Sequence, residues 1–256
     1  MPRRRGSAAI SEASRLLTVP SDQLTLTSTI AARLGEVRAA VAAACDRAGR
    51  DPSEVTIVGV SKTHPVETVA AACAAGMLDL GENRAQEFVP KAAAAAAAGL
   101  SPRWHFIGHL QRNKVRQVLP QLHALHSVDS VRLVSEITRQ WESGIRPGSG
   151  EALRCYVEVN VSGEAQKHGS DASDLVELLE AASASPAIEL AGLMTVAPRV
   201  ADPEEVRPVF RALRELAAAH GVSGLSMGMT EDYGVAIEEG ATVVRVGRAI
   251  FGERRS

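Results

Sequence analysis

From Val55 onward, short apolar, β-branched runs alternate with stretches of helical periodicity, and the alternation repeats eight times. The runs are VTIVGVSK, MLDLGEN, WHFIG, ALHSV, RCYVEVNV, IELAGLMT, GLSMG and TVVRVG. Between them, apolar residues recur three and four apart. Val66, Val69, Ala70 and Cys73 mark one such face, and Val206, Val209, Phe210, Leu213 and Leu216 another. The alanine-rich stretch Ala85 to Ala98 reads as helix, because alanine is the best helix former. A further helix precedes the first run, with Ile30, Leu34, Val37, Val41 and Cys45 on its buried side. Strand–helix alternation implies parallel strands joined by helical crossovers. Eight units in about 200 residues predict a closed (β/α)8 barrel, an α/β fold of TIM type. The rival is an open doubly wound sheet, which usually carries a glycine-rich fingerprint after its first strand. VGVSKTHP is not one.

Composition narrows the functional classes. Aromatic residues make up 3% of the sequence, so the core rests on Val, Leu, Ile and Ala. A net charge of −2 offers no basic footprint for nucleic acid. No apolar run approaches the ~20 residues of a membrane span, and the N-terminal segment lacks the apolar centre of a signal peptide. Cys45, Cys73 and Cys155 sit in apolar-periodic stretches without CxxC spacing, which fits reduced thiols in a cytoplasmic protein. Residues 1–28 read as a loose tail and 29–256 as one barrel domain.

In such a barrel, function gathers at the C-terminal ends of the strands. Lys62 follows the first apolar run; with strand periodicity it shares the inward side of Val58 and Val60. Apolar walls disfavour its charged form, and a neutral amine is what an imine-forming lysine needs. The plain alternative is a lysine that ends a strand and reaches into water. Two later segments shift that balance. LSMGMTED and VGRAIFG are glycine-containing turns into helices after runs seven and eight, where this fold commonly binds phosphate. Thr230 adds a hydroxyl, and Gly228 and Gly247 allow close backbone approach. A lysine for an imine beside a phosphate cradle suggests a phosphorylated aldehyde or ketone: pyridoxal 5′-phosphate, or a sugar phosphate handled by a class I aldolase. Arg245 shares a face with Val243 and Gly247. Pointing inward, it would donate to a pyridine nitrogen and keep it unprotonated, which implies a weak electron sink; pointing outward, it would pair with a helix. His105 and His109 have i, i+4 spacing but straddle a strand end, so His105 is expected to be structural and no metal is expected. Ser61 and Ser162 lack a His–Asp arrangement, and Asp129 serves a loop as readily as a ligand.

The motifs VGVSKTHP, LGENRAQE, WHFIGHLQRNK, VEVNVSGEAQKHG, GLMTVAP and LSMGMTEDYGVAIEEGATVVRVGRAIFGER occur in order between Ile30 and Arg254. In this combination the sequence resembles the YggS/PROSC family of pyridoxal phosphate-binding homeostasis proteins. The resemblance implies a single barrel like the N-terminal domain of alanine racemase and other fold-type III enzymes. It places the Schiff-base lysine on Lys62, the phosphate contacts on Met229, Thr230, Gly247 and Arg248, and the ring-nitrogen arginine on Arg245. Asn83 falls near the cofactor ring, and Lys167 matches a second lysine of interest. The sequence departs from the family at His64, where relatives often have lysine, at Arg84, where tyrosine is frequent, and at Arg248, where many have threonine.

Three functions follow for comparison. The first, which the resemblance favours, is non-catalytic: a monomer that binds pyridoxal phosphate on Lys62 and serves its homeostasis, with pyridoxal phosphate-dependent apoenzymes as expected partners. The second is an amino-acid racemase. It is expected to need a second β-domain and a catalytic tyrosine, whereas the sequence ends at Ser256 soon after run eight and holds only Tyr156 and Tyr233. The third is a class I aldolase, which lacks an evident acid–base partner around Lys62.

Overall fold

The computed structural model describes residues 21–148, 150, 152–161 and 174–253. Eight parallel strands close into a barrel in sequence order. They are β1 (Thr56–Val60), β2 (Asp79–Glu82), β3 (Arg103–Phe106), β4 (Leu122–Val128), β5 (Leu153–Glu158), β6 (Ile188–Met194), β7 (Gly224–Met229) and β8 (Val243–Val246). Each overlaps the apolar run that predicted it, although β3, β4 and β5 begin one or two residues before their runs and β7 ends one residue after its own. The barrel closes where β1 pairs with β8, Thr56 opposite Val243 and Val58 opposite Arg245.

The helices are α1 (Ser21–Ala48), α2 (Val66–Ala74), α3 (Ala85–Ala97), α4 (Val115–Val118), α5 (Val131–Glu142), α6 (Leu175–Ala184), α7 (Arg207–Ala219), α8 (Tyr233–Glu238) and α9 (Arg248–Phe251). Outward strand residues such as Leu80, Trp104, Phe106, Val157 and Val244 form the main core against them. Phe88 of α3 meets Trp104 and Phe106 edge-on, with ring centroids 5.6 and 6.1 Å away. The lumen holds a smaller cluster of Val58, Tyr156, Met194 and Val243.

The expected tail boundary at residue 28 is too late, because α1 begins at Ser21. Its polar first turns read as loose chain, yet the hydroxyls of Thr25, Thr27 and Thr29 each donate to the carbonyl four residues back. Gln23 donates to the Glu67 carbonyl of α2, which docks the extension. The predicted face Ile30, Leu34, Val37, Val41 and Cys45 is buried, and α1 packs on α2, α8 and α9. Among the described residues, no helix is long and apolar enough to cross a membrane.

Candidate functional site

Lys62 does not extend β1, as strand periodicity implied; it lies two residues beyond Val60, in a turn. The turn is closed by the His64 amide, which donates to the Ser61 carbonyl at 3.1 Å. Thr63 adopts φ 68°, a region a β-branched residue seldom enters. Such a conformation persists only where its surroundings over-determine it, and here they do. The Ser61 amide donates to the Gly81 carbonyl at 3.0 Å, and its hydroxyl to Glu82 Oε1 at 2.8 Å. Lys91 Nζ of α3 donates to the Ser61 carbonyl at 2.9 Å, and the Thr63 amide to Glu87 Oε2 at 3.0 Å. Lys62 is thus half-buried on a turn braced from β2 and α3. Burial raises the Glu82 carboxyl above its usual range, against the opposing pull of Lys91 and Ser61.

The turns after β7 and β8 lie beside it. Gly247 sits against the end of β1; a Cβ there would come 3.4 Å from the Val60 carbonyl oxygen. Its amide donates to Thr230 Oγ1 at 3.3 Å, which ties the two turns together. The first hydrogen bond of α9 is donated by Ile250 to the Gly247 carbonyl, so the Arg248 and Ala249 amides precede any intrahelical acceptor. The Met229 amide is engaged by Asp232 Oδ1 at 2.6 Å. Arg248 reaches across the mouth to Glu231 and also pairs with Glu253 at 3.3 Å. Its guanidinium therefore faces carboxylates of neighbouring turns.

Arg245 points inward and is 4% exposed. It donates to the Ser226 carbonyl and Oγ, both at 2.7 Å, and to the Thr195 carbonyl at 2.9 Å. Burial lowers its pKa to about 10, while Glu158 and Asp232 act in the opposite direction. Glu158 ends β5 on the same side as Tyr156. Burial and the Asp129 charge push its carboxyl up to about 7, against Arg245 and His109. Across the mouth, His109 Nδ1 lies 2.8 Å from Asp129 Oδ2. Asn83 is half-buried after β2 and borders a cavity of about 510 Å³ together with Arg84, Glu87, His109, Gln111 and Lys114.

Lys62, Thr230, Gly247 and Arg245 thus meet around the ends of β1, β7 and β8, with Met229 and Arg248 in the same turns. Asn83 stands over β2. Lys167 and Ser162 lie outside the described residues. His105 is a buried lumen residue, as expected. Sequence reasoning passed over Lys91 and Asp232, and also Glu158, His126 and Ser226. The last three share a readable signal: a polar residue at an inward position of an otherwise apolar strand.

The closed parallel barrel carries a lysine-bearing turn beside two glycine turns, and residues 33–255 match the family of alanine racemase N-terminal domains. The chain is 41% identical to the pyridoxal phosphate homeostasis protein of Aquifex aeolicus over 234 residues, covering 87% of this chain and 97% of the relative. It is 42% identical to the protein of the same name from Pseudomonas aeruginosa over 229 residues, covering 89% and 96%. PipY of Synechococcus elongatus PCC7942, solved with PLP bound, superposes with a TM-score of 0.74 at 32% identity, covering 87% of this chain and all 100% of PipY. Alanine racemase from Corynebacterium glutamicum shares the fold, with a TM-score of 0.64 at 17% identity, covering 89% of this chain and 62% of that enzyme. The chain belongs to the pyridoxal phosphate homeostasis protein family.

Proposed function

We propose that this protein binds pyridoxal 5′-phosphate covalently through Lys62 and holds it for cellular use without turning over an amino acid. The observation that carries this reading is the convergence of Lys62, Thr230 and Gly247 over the buried Arg245. The residues present fit the group. Lys62 would hold the cofactor through its amine, which would condense with the aldehyde with loss of one water. Thr230 and the amides at the start of α9 receive the phosphate, with Gly247 leaving room for it. Arg245 spends three of its five N–H donors on neutral oxygens, which leaves donors for the ring nitrogen. When bound, the cofactor supplies an electrophilic carbon and an electron sink, and an arginine at the ring nitrogen keeps that sink weak.

The placement of the tyrosines supports holding over racemisation. Tyr156 lies in the lumen, stacked on His126 at 4.6 Å, and Tyr233 packs against the main core. Neither is offered as a base to the open face of a cofactor. Recipients under this reading are pyridoxal phosphate-dependent apoenzymes, approached by a monomer.

The test is direct. Purified protein mixed with pyridoxal phosphate should show visible absorbance that Lys62→Ala abolishes. Borohydride reduction followed by peptide mass spectrometry should place the adduct on Lys62. An adduct on another lysine would overturn the site, and brisk turnover of either alanine enantiomer would overturn the holding role.

A further inference from the structure

The lumen of a (β/α)8 barrel is ordinarily filled by branched aliphatic residues. Here a hydrogen-bonded relay crosses it. Arg245 Nη1 donates to Ser226 Oγ at 2.7 Å. Ser226 Oγ lies 2.7 Å from His126 Nδ1. His126 Nε2 lies 2.9 Å from His105 Nδ1, and His105 Nε2 lies 3.0 Å from Asp79 Oδ1. Asp79 also accepts from Arg103 Nε at 2.7 Å at the far end. His126 and Ser226 are fully buried, and His105 and Arg245 are 4% exposed. The relay joins β8, β7, β4, β3 and β2.

Its two ends set its direction. A guanidinium only donates and a carboxylate only accepts. Burial acts to raise the Asp79 pKa, but hydrogen bonds from His105 and Arg103 outweigh it and hold the group at about 2, so Asp79 is ionised. Burial first, and the neighbouring charges second, hold His126 well below the usual histidine range, so it is neutral. One arrangement then satisfies every member. The Ser226 hydroxyl donates to His126 Nδ1, His126 Nε2–H to His105 Nδ1, and His105 Nε2–H to Asp79. The reverse direction would put two protons on His105 and leave the Ser226 hydroxyl hydrogen without an acceptor in the relay. The other charged or titratable groups facing the pair are His123, Arg154 and Tyr156.

We propose that His126 and Ser226 are positioning residues for Arg245, and that the relay lends the buried guanidinium the negative character of Asp79 from the opposite side of the lumen. Hydrogen bonds aligned in one direction polarise one another. Asp79 makes His105 Nδ1 a better acceptor, His105 does the same for His126 Nδ1, and Ser226 Oγ becomes the more negative acceptor for Arg245. Among the described residues the other hydrogen-bond acceptors of Arg245 are carbonyls, so the relay adds to the pull of Glu158 and Asp232 on the buried guanidinium and fixes it beneath the cofactor ring. The inference rests on the reading above that Arg245 faces that ring.

Nitrogen-15 NMR of the full-length protein without cofactor should find His126 and His105 both protonated on Nε2 and bare on Nδ1. A His126 protonated on Nδ1 would overturn the relay. Ser226→Ala deletes the link while the Ser226 carbonyl still holds Arg245. It should weaken pyridoxal phosphate binding about tenfold, the worth of one hydrogen bond to a charged group. It should also move the pH midpoint of the bound cofactor's visible absorbance, and Ser226→Thr should restore both. His126→Phe, which keeps the stack on Tyr156, should act like Ser226→Ala. Unchanged affinity and midpoint in Ser226→Ala would overturn the proposal while the Lys62 reading stands. Absence of a Lys62 adduct in the unaltered protein would instead overturn the function, and the NMR result, taken without cofactor, would still decide the relay.

Discussion

Lys91 Nζ lies 2.5 Å from Glu82 Oε1, and through this pair α3 grips the turn that carries Lys62. Both side chains are nearly or fully buried. Breaking one partner of such a pair leaves the other charged and desolvated. Lys91→Met should therefore destabilise the protein by about 3–5 kcal/mol in urea unfolding. Adding Glu82→Gln should recover part of that loss. A double variant less stable than Lys91→Met alone would mean the pair is not the source.

Thr63 sits at φ 68° in the same turn. Glycine enters this region without a Cβ penalty but loses more backbone freedom on folding. The first effect should win, and Thr63→Gly should stabilise the apoprotein by about 0.5–1 kcal/mol. A lower urea midpoint would show that the turn stores no strain at this residue.

Glu158 should give stability a pH dependence. Its carboxyl is raised from the usual 4.5 to about 7. Between these values the native state holds more protons here than the unfolded state. The contribution of this group is thus complete below about pH 4.5 and lost as pH rises through 7. At about 1.4 kcal/mol per unit, the loss amounts to roughly 3–4 kcal/mol. Glu158→Gln should remove that slope, so unfolding free energies of the two proteins measured from about pH 4 to 8 should diverge. Parallel curves would place the titration elsewhere.

Gly108 controls Asn83 by close approach. A Cβ at Gly108 would meet the Asn83 carbonyl oxygen at 2.3 Å and its Cβ at 2.9 Å. Gly108→Ala must push the Asn83 segment away from the mouth. An overpacking change of this kind destabilises by about 1–3 kcal/mol. Cofactor affinity, read by absorbance titration, should fall severalfold, with the adduct still on Lys62. Wild-type affinity would show that Asn83 contributes nothing to binding.

Much of this was legible from local signals. The strands announced themselves as β-branched runs, because a strand buried on both faces needs apolar residues throughout. The placement of Lys62, Thr230, Gly247 and Arg245 at the ends of neighbouring strands was readable because strand ends and glycine turns are local features. The onset of α1 was missed because hydroxyl back-bonding and the Gln23 contact with α2 override a polar composition. The turn at Lys62 was missed because β1 stops where Ser61 is captured by β2 and α3, residues distant in sequence.

By itself, then, the amino-acid sequence determined the barrel, its functional end and the lysine that stands there, since periodicity and turn chemistry act over a few residues at a time. Only the tertiary structure decided what surrounds that lysine and its arginine. Glu82 meets Lys91 of α3, and Asp79, His105, His126, Ser226 and Arg245 are linked across strands by partners up to a hundred residues apart. Their pairing follows from barrel closure. A polar group in the lumen must find its hydrogen bonds among whichever inward residues the register brings to the same level.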